Sequence, residues 1–131
     1  MGARGAFGAA GAASRHLLES FVNRHWGDAF PWGTFVVNVS GSFVLGALVG
    51  VFAHRLDVPL WLQAAATVGF LGAYTTFSTL SLQIYRSTAT GQLGVAFANA
   101  FGSLAAGVLA LLVATALWPR QCCRYVSHAR L

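Results

Sequence analysis

The chain has 131 residues and a formal net charge of +5, from eight arginines and no lysine against three acidic residues. Only 8% of it is charged and 56% is hydrophobic, whereas a soluble domain is about 25% charged. It cannot cover a water-facing surface, and its arginines, scattered singly between apolar blocks, form no basic run or face suited to nucleic acid.

Four apolar segments follow one another and predict an all-α membrane protein in a single domain, 1–131. The first, about 2–22, is rich in Ala and Gly and carries Arg4, Arg15, His16 and Glu19. Gly5, Gly8 and Ala12 give it a small-residue face. Arg15 and Glu19 are four apart, a spacing that allows pairing on one helix face, and both lie near the expected end of that helix. No cleavage site follows this stretch, so it reads as structure rather than as a signal peptide.

The second segment, about 32–53, is uncharged. At 1.5 Å per residue it spans about 33 Å, enough for a hydrocarbon core of about 30 Å. Trp26 and Trp32 flank its start, where aromatic residues anchor membrane helices. Gly46 and Gly50 form a GxxxG pair that Ser42 extends by a turn, the signature of close helix contact in lipid. Thr34, Asn38 and Ser42 fall at i, i+4 and i+8, one polar line on one face. An amide such as Asn38 must be hydrogen-bonded there. Taken alone, it is more often a structural partner than a site.

The third segment, about 58–85, begins after Pro59, a favoured first residue of a helix. It contains GAYTTFSTLSLQ, in which five of the seven residues from Thr75 to Ser81 carry hydroxyls. Two readings are open. The hydroxyls bond back to i−4 carbonyls in a continuous helix, or the helix breaks between Gly72 and Thr76. A break frees backbone groups, which membrane depth tolerates only where they are buried in protein or line water.

The fourth segment, about 93–118, places Asn99, Ser103, Gly107 and Thr115 at multiples of four. Facing polar lines on the second and fourth helices would enclose a narrow wet path. A polar tail, 119–131, carries adjacent Cys122 and Cys123 with no second pair to build a zinc site. None of the segments alternates as membrane β-strands do. No nucleophile–base pair or metal-ligand cluster points to an enzyme.

Two stretches together, GTFVVNVSGSFVLG (Gly33–Gly46) and GFLGAYTTFSTLS (Gly69–Ser81), resemble the paired signatures of the Fluc/CrcB family of bacterial fluoride channels. Those signatures read GTxxxNxxGxFxxG in the second helix and GGxTTFSTF in the third. The resemblance implies four transmembrane helices, with the third interrupted at mid-membrane, in an antiparallel dual-topology-type dimer in the bacterial plasma membrane. It implies a structural sodium ion at the dimer centre, held by backbone carbonyls at positions matching Gly72 and Thr75, with the glycine permitting the break. It places Asn38, Phe77, Ser78, Thr79, Leu80 and Ser103 along the anion path. Arg15 matches the family's first-helix arginine loosely.

Two positions depart from the family. Leu80 stands where its second motif phenylalanine would be, and Asn99 where the fourth helix commonly has tyrosine. The implied function is passive export of fluoride from the cytoplasm, which limits its toxicity. Orientation rests on a count: with the N-terminus inside, Arg4, Arg55, Arg120, Arg124 and Arg130 face inward, while Arg24, Arg86 and, if exposed, Arg15 face outward, a modest inward bias. That bias and Leu80 raise a heterodimer with a homologous chain beside a homodimer. The alternatives are a small multidrug-type proton-coupled exporter, for which Glu19 is the only membrane carboxylate on offer, and a membrane assembly subunit with no transport role.

Overall fold

The computed structural model describes residues 2–54 and 57–117. The expectations for Arg55, for Trp118 and for the tail, with Arg120, Cys122, Cys123, Arg124 and Arg130, lie outside those residues. Among the described residues all regular structure is helical.

The first segment is α1, Gly2–Trp26, which runs past the expected end near residue 22. Asn23, Arg24 and His25 are exposed and therefore continue the helix without burying charge. Arg24 and His25 occupy its last turn, where cations complement the helix dipole. Gly27, at φ 78°, ends it in the left-handed conformation that glycine adopts without strain. Arg15 and Glu19 thus lie well inside α1 rather than near its end.

The second segment is α2, Trp32–His54, and the fourth is α6, Leu93–Ala116. Both are long and apolar enough to cross a membrane. They pack against each other along their small residues. A methyl group added at Gly46 would lie 2.7 Å from the Leu111 carbonyl oxygen, and one at Gly107 would lie 3.3 Å from Ser42 Oγ. Residue numbers rise together along this contact, so the two helices run parallel. Small residues permit this backbone approach, which is what drives helix association in lipid. The small and polar faces of α2 and α6 are therefore in contact at Gly46–Leu111 and Ser42–Gly107.

The third segment is built in pieces. It starts as α3, Leu60–Ala64, widens into a π-helix, Ala65–Leu71, and closes with one short turn, α4, Gly72–Tyr74. Thr75 (φ −79°, ψ 156°) and Thr76 (φ −147°, ψ 112°) are extended. Helical geometry resumes in α5, Phe77–Ala89, which ends before Gly91 at φ 76°. The interruption falls on the two threonines. Gly72 keeps ordinary helical angles, φ −62° and ψ −34°, so glycine is not what permits the break. The extended angles at Thr75 and Thr76 suit β-branched side chains.

α1 crosses the π-helix at very short range. Gly11 lies against the Phe70 carbonyl, where an added Cβ would overlap the oxygen, and Gly8 faces the Gly69 carbonyl. This is the first helix's small face, with Gly11 rather than Ala12 at the tightest point. Val37, Leu71 and Tyr74 form the buried core, with Leu18, Leu45, Leu48 and Phe70 packed around them. Burial near the break is thus concentrated on its α4 side.

Candidate functional site

The break opens onto a groove of about 650 Å³ between α2, the third segment and α6. Of the eight residues assigned to the anion path or the sodium site, six line it: Asn38, Gly72, Thr75, Phe77, Leu80 and Ser103. Its walls are mostly apolar. Phe77, at the first position of α5, is 82% exposed, so its ring stands out over the groove instead of joining the core. Leu80 follows one turn later and is half-buried.

Asn38 closes on the broken backbone from both sides. Its Nδ2 donates to the Thr76 carbonyl at 3.3 Å, and the Thr76 amide donates to its Oδ1 at 2.9 Å. The side-chain amide thereby replaces the helical partners that Thr76 loses. In an unbroken helix the Thr76 N–H would close on the Gly72 carbonyl four residues back. Here it is turned to Asn38, so Gly72 O is released from that bond. One Nδ2 hydrogen of Asn38 is engaged. The second is the only remaining donor of this amide.

The two sides of the break are finished differently. On the α4 side, the Thr75 amide and the Thr75 hydroxyl both donate to the Leu71 carbonyl, at 2.9 and 3.0 Å. Back-bonding by a hydroxyl and a break therefore occur together, where the sequence had left them as alternatives. On the α5 side Thr76 is the N-cap, its Oγ1 accepting from the Thr79 amide at 3.3 Å. That satisfies one of the orphan amides at a helix start. The Thr76 hydroxyl donates to Thr79 Oγ1 at 3.0 Å, and Ser78 Oγ lies 3.3 Å from it. Ser78 and Thr79 thus surround Thr76 and do not line the groove. Their hydroxyls sit at the positive end of α5, and Ser78 is exposed.

The expected polar line on α2 divides among three environments. Thr34 is buried and faces α1 and α5: its hydroxyl donates to Glu19 Oε1 at 3.0 Å and accepts from Gln83 Nε2 at 2.7 Å. Asn38 faces the break. Ser42 donates to the Asn38 carbonyl at 2.9 Å and packs on Gly107. Glu19 therefore turns to Thr34 across the helix pair. Ser103 is 5% exposed and donates to Asn99 Oδ1 at 3.2 Å, so its hydroxyl must rotate to serve the groove.

Sequence reasoning named Thr76 as the end of a possible break but not as a cap or as the partner of Asn38, and it did not single out Gln83 or Tyr74. The signal for the cap was available, since a threonine directly ahead of a helical segment is a favoured N-cap. Tyr74 Oη and Ser40 Oγ share a hydrogen at 2.8 Å, a pairing across two segments that no local pattern announces.

The chain matches the family described as CrcB-like protein, Camphor Resistance (CrcB), over residues 3–115. It is 45% identical over 103 residues to the fluoride-specific ion channel FluC of Magnetococcus marinus, covering 79% of this chain and 84% of that one. It is 42% identical over 118 residues to the fluoride-specific ion channel FluC 1 of Symbiobacterium thermophilum, covering 88% and 95%. With the fluoride-specific ion channel FluC of a Chelativorans species it shares 41% identity over 111 residues, covering 85% and 87%. The chain therefore belongs to the CrcB family.

Proposed function

We propose that this chain is a fluoride channel subunit that lets fluoride leave the cytoplasm passively. The observation that supports this most is the Thr75–Thr76 interruption braced by Asn38 beside the outward ring of Phe77, in a chain whose relatives are named fluoride-specific ion channels. The relatives are ion channels by name, and the chain is not an enzyme.

Fluoride is small and strongly hydrated, so a pore that strips its water must supply other donors. The free Nδ2 hydrogen of Asn38, the Ser78 and Thr79 hydroxyls, and Ser103 once rotated are neutral donors near the break. Neutral donors suit conduction, which requires binding weak enough to release the ion. The edge of the Phe77 ring is the positive part of its quadrupole and adds an attractive wall. Leu80, one turn on, has no such edge and supplies only shape.

In this reading all four segments cross the membrane, and the interruption sits at mid-depth. The groove, apolar and carrying the exposed Phe77 ring, is covered by a second chain in antiparallel orientation. That chain is either a copy of this one or a homologue bearing phenylalanine at the Leu80 position. A structural sodium ion fits the donor set. Gly72 O lacks its helical partner, Thr75 ends the first half-helix, and carbonyl ends of half-helices suit a cation. When bound, the ion would supply a fixed positive charge that offsets the clustered carbonyl dipoles and joins the two chains.

The test is efflux from liposomes carrying the purified chain alone, read with a fluoride electrode, against chloride and with the proton gradient collapsed. Selective flux that survives collapse of the gradient supports the reading. Flux that needs a proton gradient would point to a coupled exporter instead. Absence of flux from the chain alone, restored by a homologous partner, would identify an obligate heterodimer.

A further inference from the structure

Two buried polar atoms in the described residues have no hydrogen-bond partner: Gln83 Oε1, an acceptor, and Asn99 Nδ2, a donor. Native proteins seldom leave such groups unpaired, because a buried polar group without a partner loses its hydration with nothing in return. The fold puts them at one level. Ser42 meets Gly107 and Gly46 meets Leu111, four residues further along on both helices. Followed eight residues back on each, this register sets Thr34 level with Asn99. Gln83 is hydrogen-bonded to that same Thr34, at 2.7 Å, and α5 packs on α6.

The orientation of Gln83 is fixed by its neighbours. Thr34 has one hydroxyl hydrogen, and it goes to Glu19. Thr34 must therefore accept from Gln83, which commits Nε2 to Thr34 and leaves Oε1 turned elsewhere. Ser103 donates to Asn99 Oδ1, which leaves Asn99 Nδ2 as the free end of that amide. Asn99 is 0% exposed, so no second chain reaches it.

We infer that Gln83 and Asn99 together hold one buried water molecule. The ligand class follows from the sense of the two groups. A bare anion would be repelled by Gln83 Oε1 and a bare cation by the Asn99 N–H. Water accepts from Asn99 and donates to Gln83, with its second hydrogen left over. The site also joins two spaces. Gln83 lines a cavity of about 270 Å³ at one end of the bundle, beside Asp28 and Arg86, and Asn99 is bonded to Ser103 in the groove wall. Glu19, Thr34, Gln83, the water, Asn99 and Ser103 then form one continuous hydrogen-bonded line across α1, α2, α5 and α6.

The experiment is a thermal double-mutant cycle on the purified full-length protein, with Gln83→Met, Asn99→Leu and the pair. A shared water predicts that each single change lowers the melting temperature by several degrees, because it strands the other group. The double change should then lower it by clearly less than the sum. Additive losses would overturn the inference. Should either single variant fail to fold, the unaltered protein decides, at a resolution that shows ordered water. Density within hydrogen-bond reach of both amides supports the site, and amides bonded directly to each other or to separate partners overturn it. Neither readout involves fluoride flux, so this inference and the channel reading fail independently.

Discussion

Asn38 holds Thr76 by a reciprocal pair of hydrogen bonds, side-chain amide to backbone amide, across two helical segments. This gives the asparagine a mechanical duty alongside any part in ion passage. Asn38→Leu is expected to abolish most fluoride efflux and also to lower thermal stability, by about 1–3 kcal/mol for each backbone group left buried and unpaired. Asn38→Asp retains the acceptor for the Thr76 amide. It should therefore recover part of the stability, while its negative charge still suppresses efflux. Melting curves and liposome flux on the same preparations separate the two effects. If Asn38→Leu melted like the parent, the clamp would be dispensable.

Thr76 is the N-cap of α5 and the centre of the hydroxyl cluster with Ser78 and Thr79. Thr76→Val keeps the branched shape and the extended angles but loses the cap, at a cost of about 1 kcal/mol. Thr76→Ser keeps the oxygen and is expected to remain close to the parent. The order serine above valine in melting temperature is the check. Valine matching the parent would mean that the cap contributes nothing.

These two residues also show what the sequence could and could not convey. Helical segments and their order are written in apolar runs, because lipid demands them over a fixed length. Asn38 drew attention because an amide in such a run needs a partner, yet its partner, Thr76, lies 38 positions away along the chain. A pattern of local spacing carries no information about a contact at that distance. The same limit explains Glu19, for which i, i+4 spacing offered Arg15 while the folded chain offers Thr34. Helix ends were missed at Trp26 and Ala89 because polarity alone does not stop a helix, whereas the glycines at 27 and 91 do. The break itself was legible as a hydroxyl cluster. Its restriction to the two threonines, with Gly72 still helical, was not, since glycine's low helix propensity is a preference and does not by itself end a helix.

Phe77 and Leu80 sit one turn apart on the groove face of α5, and they differ in the one property that bears on an anion, a polarised ring edge. Phe77→Ala is expected to reduce fluoride flux on the order of tenfold, the equivalent of about 1.4 kcal/mol, with little change in stability because the ring is already exposed. Leu80→Phe should leave flux equal or higher. Flux measured with a fluoride electrode checks both. A complete loss in Leu80→Phe would mean that the groove has no room for a second ring.

Gly11 and Gly72 are both in the helical segments around the break, and they answer to different surfaces. At Gly11 an added Cβ would run into the Phe70 carbonyl, which is backbone and cannot move aside. Gly11→Ala should therefore prevent α1 from seating on the π-helix, seen as loss of folded protein on expression. At Gly72 an added Cβ meets nothing within 4 Å, and the residue is exposed. Gly72→Ala should accordingly leave the fold of a single chain intact, and any defect must come from what lies outside it. If a second chain covers this face, the variant will fold and yet show a weakened dimer, measurable as a shift toward monomer in lipid or detergent. A Gly72→Ala protein that dimerises and conducts like its parent would place the partner's backbone away from this helix turn.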